Sequence, residues 1–423
     1  MRISFVTPEF VTEPAFCGGL ANYLGRVTRA LCETGHDVHV FTRSDNRHEP
    51  VADHYGVNVH RVVPLWDSRM ILDHVDPFVP RQYYDCYQDV KAAWCLRRRW
   101  KQYNRKAAFD IVQAANVGAC GLFFRRESRV PVVTRLSSYR PLWDRSSGVE
   151  ITNGLKRRWK LEQRAIEGSN FLYVPSAFVA QETMSNYRVG HVDVIESPFF
   201  QEVPERDSSV HDAYLAGKQY LLFFGKHTRM KGTHLLADAL TPVLENHPSV
   251  HCAFIGADTQ LAPGGGSMRD YIRSRNSQHL DRFHFFESLK HEQLYPIVEN
   301  CLAVLIPSLA DNLPNTCLEA MGLGKVVVAA TGSCFEQLIQ SGESGFLAAN
   351  NCSSSLGETI ERVVRLTPDA RTEIGLNAKS SIARLHPDQA IPKLLEYYES
   401  VIEQFGEREK PSNNTENYTL ATS

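Results

Sequence analysis

Apolar and polar positions follow two rhythms along this chain. Short apolar runs alternate with longer stretches in which apolar residues return every three or four positions, the patterns of strands and amphipathic helices. "RISFVTP" is the first such run. "GGLANYLGRVTRALCETG" after it sets Leu20, Tyr23, Leu24, Val27 and Leu31 on one helical face, and Gly35 stands where a C-cap belongs. "HDVHVFTR", "NVHRVVP", "DIVQAA", "VPVVTRL" and "NFLYVPS" read as further strands. "GLKRRWKLEQRAIEGS" reads as a helix, and "HVDVIESPF" closes this half. The polar, aromatic stretch from about Arg69 to Lys106 reads as a more irregular helix.

Residues 201–218 (QEVPERDSSVHDAYLAGK) are charged and lack a period, so they read as a linker. The pattern then restarts. "QYLLFFGK", "VHCAFIGA", "RFHFFES", "LAVLIPS", "KVVVAAT" and "GFLA" are predicted strands, separated by helices such as "KGTHLLADALTPVLENH". "SSSLGETIERVVRLTP" is a further helix. A last helix is predicted within 388–405, with Pro392 in its first turn, and is expected to pack back toward the first half. Residues 406–423 are polar and aperiodic, the composition of a disordered tail. Repeated strand–helix units build parallel sheets with helices on both faces. The fold class predicted is therefore α/β: two doubly wound Rossmann-like domains, at 1–200 and 219–387, facing a cleft.

A chain of 423 residues is long enough for two such cores. Its net charge of −2 carries no signal for nucleic acid. The ten cysteines form no C-x-x-C pair and several lie in apolar runs, which points to a reducing, cytoplasmic setting. The opening MRISFVTPEF has no apolar leader core, and no apolar run approaches the ~18 residues of a membrane span.

Five stretches could carry chemistry. Gly18-Gly19 opens the first helix, where glycine lets a backbone approach a phosphate; taken alone, the pair reads first as a tight βα turn. "GKHTRMKG", Gly225 to Gly232, places Lys226 and Lys231 at the end of a strand, as a diphosphate clamp or as a solvated basic loop. "SLADNLPNTCLEAMGLGK" carries Asp311 and Glu319 around a turn and a helix start. Asn315 or Thr316 is the predicted N-cap there, and a carboxylate beside it can serve a ribose diol or the helix itself. "RRRWKQYNRK" (Arg97 to Lys106) and "LKRRWK" (Leu155 to Lys160) suit either an anionic membrane surface or a solvated helix face. The sixteen histidines show no zinc spacing, and Gly264-Gly265-Gly266 lacks the Lys-Ser/Thr of a P-loop. No metal and no cofactor is predicted.

Taken in order over about residues 1–405, these stretches resemble the retaining GT-B glycosyltransferases of glycosyltransferase family 4. "CGGLANYLGRVTRALCETGHDVHVFT" is similar to the family's glycine loop, and "LEQRAIEGSNFLYVPSAF" to its late N-domain segment. "LLFFGKHTRMKGTHLLADAL" is similar to its phosphate loop, and "PSLADNLPNTCLEAMGLGKVVVA" to its E-x7-E region. The resemblance implies metal-independent sugar transfer, with retention, from a UDP- or GDP-sugar (a substrate, not a cofactor) to an acceptor hydroxyl. The acceptor would be lipid-linked, a polysaccharide or a small molecule.

It implies that Lys226 and Lys231 bind the diphosphate, with Gly225 beside them, and that Glu319 holds the ribose. Asp311 would lie beside the donor sugar. Asn312, Leu313, Pro314, Asn315 and Thr316 would offer amides to sugar and phosphate, with Gly18 and Gly19 approaching from the other domain. Asp311 stands where many relatives carry Glu, Lys226 where they carry Arg, and Ser137 or Ser138 near their usual His, with Arg135 close by. An epimerase of the same architecture and a non-catalytic nucleotide-sugar-binding partner are the alternatives.

Overall fold

Two open, twisted sheets organise the chain in this computed structural model, which describes residues 1–409 apart from 14–17, 47, 48, 50, 65–74, 126, 128, 202, 203 and 260. The first sheet holds β1 (Arg2–Thr7), β2 (Asp37–Arg43), β3 (Val51–His54), β4 (Val57–Val62), β5 (Ile111–Ala115), β6 (Val132–Arg135), β7 (Phe171–Val174) and β8 (Asp193–Val194). Their spatial order is β3-β4-β2-β1-β5-β6-β7-β8. All pairs are parallel except β3 with β4. The second sheet holds β9 (Gln219–Phe224), β10 (Val250–Ile255), β11 (Phe283–Phe286), β12 (Ala303–Ile306), β13 (Val327–Ala330) and β14 (Phe346–Ala348). It is parallel throughout, in the order β11-β10-β9-β12-β13-β14.

The central strands are apolar on both faces, as a sheet covered twice by helices requires. Phe5, Ile111 and Val133 are fully buried in the first domain, and Leu222, Ala253 and Val304 in the second. Strand order reverses between β1 and β5, and again between β9 and β12. Loops leaving the carboxyl ends of strands at such a reversal cannot fold back over the same helix, so a crevice opens there. The loops after β1, β9 and β12 therefore bound the cleft between the domains.

Helix ends follow local sequence. The helix Gly19–Glu33 stops at Gly35, which has φ +88° and returns its amide to the Cys32 carbonyl at 2.9 Å. The last helix runs Pro387–Glu409. It begins one residue before the predicted start because Pro387 is pre-set for a first helical position. Pro392 consequently lies in the helix interior and not in its first turn. Ile391, Leu394, Tyr398 and Val401 bury themselves in the core of the first domain, and Tyr398 Oη donates to Gln113 Oε1 at 2.5 Å. This helix also takes in residues placed in the tail from 406; the remainder of that predicted tail, 410–423, lies outside the described residues.

Three other expectations change. The stretch 201–218 is not all linker. Ser209–Tyr214 is helical and Leu215 is fully buried in the core of the second domain, where its side chain repays local order. "HVDVIESPF" forms a strand only over Asp193–Val194, because the chain then leaves the sheet to cross between domains. Of the aromatic stretch 69–106, residues 69–74 lie outside the described residues and a continuous helix spans Arg81–Asn104.

The chain crosses between domains twice, and the crossings touch. The Phe199 amide donates to the Leu385 carbonyl at 2.8 Å. Arg384 forks onto Glu196, with Nη2 to Oε1 at 2.7 Å and Nε to Oε2 at 2.9 Å.

Candidate active site

One cleft of about 930 Å³ lies between the two sheets. Its second-domain wall is built by the loops after β9 and β12. Gly225 and Lys226 leave β9, and the loop closes at Gly232, which has φ +70°. A Cβ on Gly232 would sit 1.9 Å from the Pro307 carbonyl oxygen, so the two loops touch backbone to backbone. That contact sets Lys231 against the second loop. Its Nζ donates to Asp311 Oδ2 at 2.6 Å. Asp311 is only 7% exposed. Its amide donates to Ser333 Oγ at 2.9 Å and its Oδ1 accepts from the Asn312 amide at 3.2 Å. Lys226 is exposed toward the cleft and makes no hydrogen bond among the described residues.

The turn after Asp311 is strained. Leu313 has φ +52°, a conformation that costs a branched side chain about 1–3 kcal/mol and is held only where surroundings impose it. Its amide donates to Cys334 Sγ at 3.3 Å and its side chain is buried in the core. The helix that follows, Asn315–Gly322, has Pro314 as N-cap with no side-chain capping bond. The prediction of Asn315 or Thr316 as N-cap is thus corrected. Asn315 is the first helical residue, and its side chain accepts from Arg26 Nη1 of the first domain at 2.9 Å instead. The helix start is left uncapped, facing the cleft.

The expectation that Asn312 to Thr316 all offer amides also changes. Pro314 has none, and the Asn312 and Leu313 amides are already given to Asp311 and Cys334. The Asn315 and Thr316 amides alone find no acceptor among the described residues.

Glu319 sits one turn further in, 7% exposed. Burial raises its pKa from the ordinary 4.5 to about 7, against the lowering pull of Arg26. Its nearest ionic neighbour is His291 Nε2, 3.8 Å from Oε1, and no hydrogen bond reaches the carboxylate among the described residues. An acceptor left in this state at a cleft wall suits a ligand with hydroxyl donors.

The first-domain wall carries Gly18 and Gly19. The helix start they open is already occupied, because Glu9 Oε1 accepts from the Ala21 amide at 3.0 Å. Burial raises the Glu9 pKa, while the backbone amides and the Lys226 charge across the cleft oppose that. Arg135 ends β6 and lies over the Tyr23 ring, with Ser137 and Ser138 following it along the wall. Asn312 joins the walls. Its Nδ2 donates to the Ser137 carbonyl at 2.9 Å and the Leu136 carbonyl at 3.3 Å, and its Oδ1 accepts from Ser176 Oγ at 2.6 Å.

All fifteen residues singled out from sequence line this one cleft: Gly18, Gly19, Arg135, Ser137, Ser138, Gly225, Lys226, Lys231, Asp311, Asn312, Leu313, Pro314, Asn315, Thr316 and Glu319. Sequence reasoning missed Glu9, Arg26, Ser197 and His291, which line it too. Glu9 alone had a signal, an acidic residue directly after a strand. In the basic–aromatic patches the tryptophans turn toward the protein. Trp100 is fully buried, Arg97 pairs with Glu127, and Trp159 is half-buried with Nε1 donating to Asp144 at 2.6 Å. Among the described residues no helix is long and apolar enough to cross a membrane, and no three His, Cys, Asp or Glu side chains gather as a metal site.

Comparison with known proteins divides the chain as the two sheets do. The profile of Glycosyltransferase Family 4 matches residues 17–198, and that of Glycosyl transferases group 1 matches residues 211–381. The D-inositol 3-phosphate glycosyltransferase of Nocardiopsis dassonvillei is 23% identical over 401 residues, covering 90% of this chain and 89% of that protein. An uncharacterised glycosyltransferase of Methanocaldococcus jannaschii is 23% identical over 387 residues, covering 86% of this chain and 89% of that protein. Among solved structures, sucrose-phosphate synthase from Thermosynechococcus elongatus superposes with TM-score 0.74 at 16% identity, over 96% of this chain and 100% of that one. Anabaena HepE in complex with UDP and glucose superposes with TM-score 0.64 at 18% identity, over 95% and 100%.

Proposed function

Because this chain belongs to glycosyltransferase family 4 (glycosyl transferases group 1) and has its GT-B architecture, we propose that it moves a sugar from a nucleotide-sugar to an acceptor hydroxyl with retention at the anomeric carbon. One observation carries the reading. Two lysines, an uncapped helix start and a buried carboxylate without hydrogen-bond donors among the described residues converge on one inter-domain cleft. Glu319 accepts from the ribose hydroxyls. The diphosphate lies at Lys226, Lys231 and the Asn315 and Thr316 amides. As the glycosidic bond breaks, negative charge grows on the departing phosphate oxygen. Lys231, held by Asp311, and the helix-start dipoles stabilise it without reorganising, Lys226 adds its charge, and no metal is required of the scheme.

Asp311 is held by Lys231 and the Asn312 amide. That suits orienting the lysine beside the donor sugar better than attacking the anomeric carbon. The acceptor hydroxyl enters from the face that the diphosphate leaves, which gives retention. The UDP bound by HepE supports a uridine donor over a guanosine one. The acceptor class, whether lipid-linked, polysaccharide or small molecule, is best sought among compounds that reach the first-domain wall.

A panel of UDP- and GDP-sugars, read by nucleotide release with and without candidate acceptors, tests the reading. One donor class should turn over, and Lys231→Met should lower kcat by about 10²–10³, the size of a lost oxyanion stabiliser. Unimpaired turnover in that variant, or neither binding nor release with any donor, would reject it.

A further inference from the structure

The transfer scheme above leaves unused a buried cation of the cleft wall. Arg135, at the end of β6, is 5% exposed and lines the cleft. Its Nη1 donates to Ser137 Oγ at 2.9 Å, its Nη2 donates to Ser197 Oγ at 2.9 Å, and its guanidinium lies 3.6 Å from the centre of the Tyr23 ring. Its Nε is buried without an acceptor. Among the described residues no carboxylate pairs with it. The acidic groups of the surroundings are committed elsewhere: Glu9 to the Ala21 amide, Asp311 to Lys231, and Glu196 to Arg384. A charge removed from water is normally neutralised by a partner, because leaving it bare is costly.

The two serines say where the partner belongs. Each accepts from the guanidinium and so keeps its own proton to donate. Neither hydroxyl finds an acceptor among the described residues, and both line the cleft. The site therefore presents two hydroxyl donors polarised by a cation, plus spare guanidinium hydrogens, to whatever enters. A neutral hydroxyl could accept one of these bonds but would leave the charge unpaired. A carboxylate or phosphate answers both demands. The Ser137 carbonyl holds Asn312 Nδ2 at 2.9 Å, so this corner adjoins the Asp311 loop where the donor sugar is read to lie.

We propose that Arg135, with Ser137 and Ser197, binds an anionic substituent, a carboxylate or phosphate, of one of the two sugar substrates. The proposal rests on the transfer reading above. The anion belongs either to the donor, as a uronate, or to the acceptor, as a sugar phosphate. Two arms of a calorimetric titration separate these sources. The first compares UDP-glucuronate with UDP-glucose. The second compares a panel of hexose and cyclitol monophosphates with their unphosphorylated forms, in the presence of UDP.

In one arm the anionic member should bind about 10- to 100-fold more tightly, the range of charge-assisted hydrogen bonds. Arg135→Gln should erase that preference, Arg135→Lys should keep part of it, and Ser197→Ala should reduce it. Equal affinity within every pair overturns the proposal. So does an Arg135→Gln variant that weakens both members alike, since that marks a purely structural guanidinium. UDP alone is the control: if it binds but no anion is preferred, only this inference fails, whereas if it does not bind, the transfer reading fails with it.

Discussion

Replacing Glu319 with Gln should make the protein more stable in alkali while weakening its hold on a nucleotide. Burial lifts this carboxyl from the ordinary 4.5 to about 7. The gap of some 2.5 pH units, at about 1.4 kcal/mol each, means that ionising Glu319 costs the fold about 3 kcal/mol. The sign follows from proton counting. Between pH 4.5 and 7 the folded protein holds a proton that the unfolded chain has released, so this group's contribution to stability falls as pH rises and levels off above about 7.

Gln keeps the shape and removes the titration. Melting temperatures of the two proteins should nearly coincide at about pH 4.5 and diverge by several degrees at pH 8, the variant higher, at roughly 2–4 °C per kcal/mol. Arg26 and His291 face the carboxylate in both proteins. A ribose diol donates to the ionised form and draws the pKa down. UDP should therefore bind near neutral pH with proton release, visible as a buffer-dependent enthalpy, and Glu319→Gln should lose both the release and most of the affinity. A melting difference that is the same at pH 5 and pH 8, or a variant less stable at pH 8, would refute the reasoning.

Three further outcomes follow from the loops. Asn312→Ala removes three hydrogen bonds across the domain boundary and should raise the KM for donor about tenfold, with a larger radius of gyration by solution scattering. Gly232→Ala forces a Cβ against the Pro307 carbonyl and should cost more than about 3 kcal/mol, read as loss of soluble folded protein. Gly19→Ala meets no atom within 4 Å and should fold with an unchanged melting temperature.

The two domains were legible because both sheets are covered on both sides, so their strands announce themselves as unbroken apolar runs such as "YLLFF" and "AVLI". The cleft residues were legible because loops at the carboxyl ends of parallel strands have a fixed place in such folds. What stayed hidden depends on contacts distant in sequence. Leu313 looks like an ordinary turn residue until Cys334 holds its amide at φ +52°. Asn315 reads as a cap until Arg26, 289 residues earlier, takes its side chain. Leu215 sits in a charged stretch and folds only because the second domain's core receives it. The basic–aromatic runs left two readings open for the same reason, since composition does not tell that Trp100 points inward.

The last helix returns to the first domain, and the chain passes between the domains side by side with itself at Phe199 and Leu385. Two adjacent straps act as a door hung on two hinges: they permit swinging about one axis and resist twisting. The second domain is thus a single insertion, and residue 1 and residue 409 ride on the same body. A pair of distance labels at these two positions would therefore be blind to opening and closing. A pair with one member on either side of the straps, on the exposed residues Tyr55 and Leu376 for example, would follow each turnover.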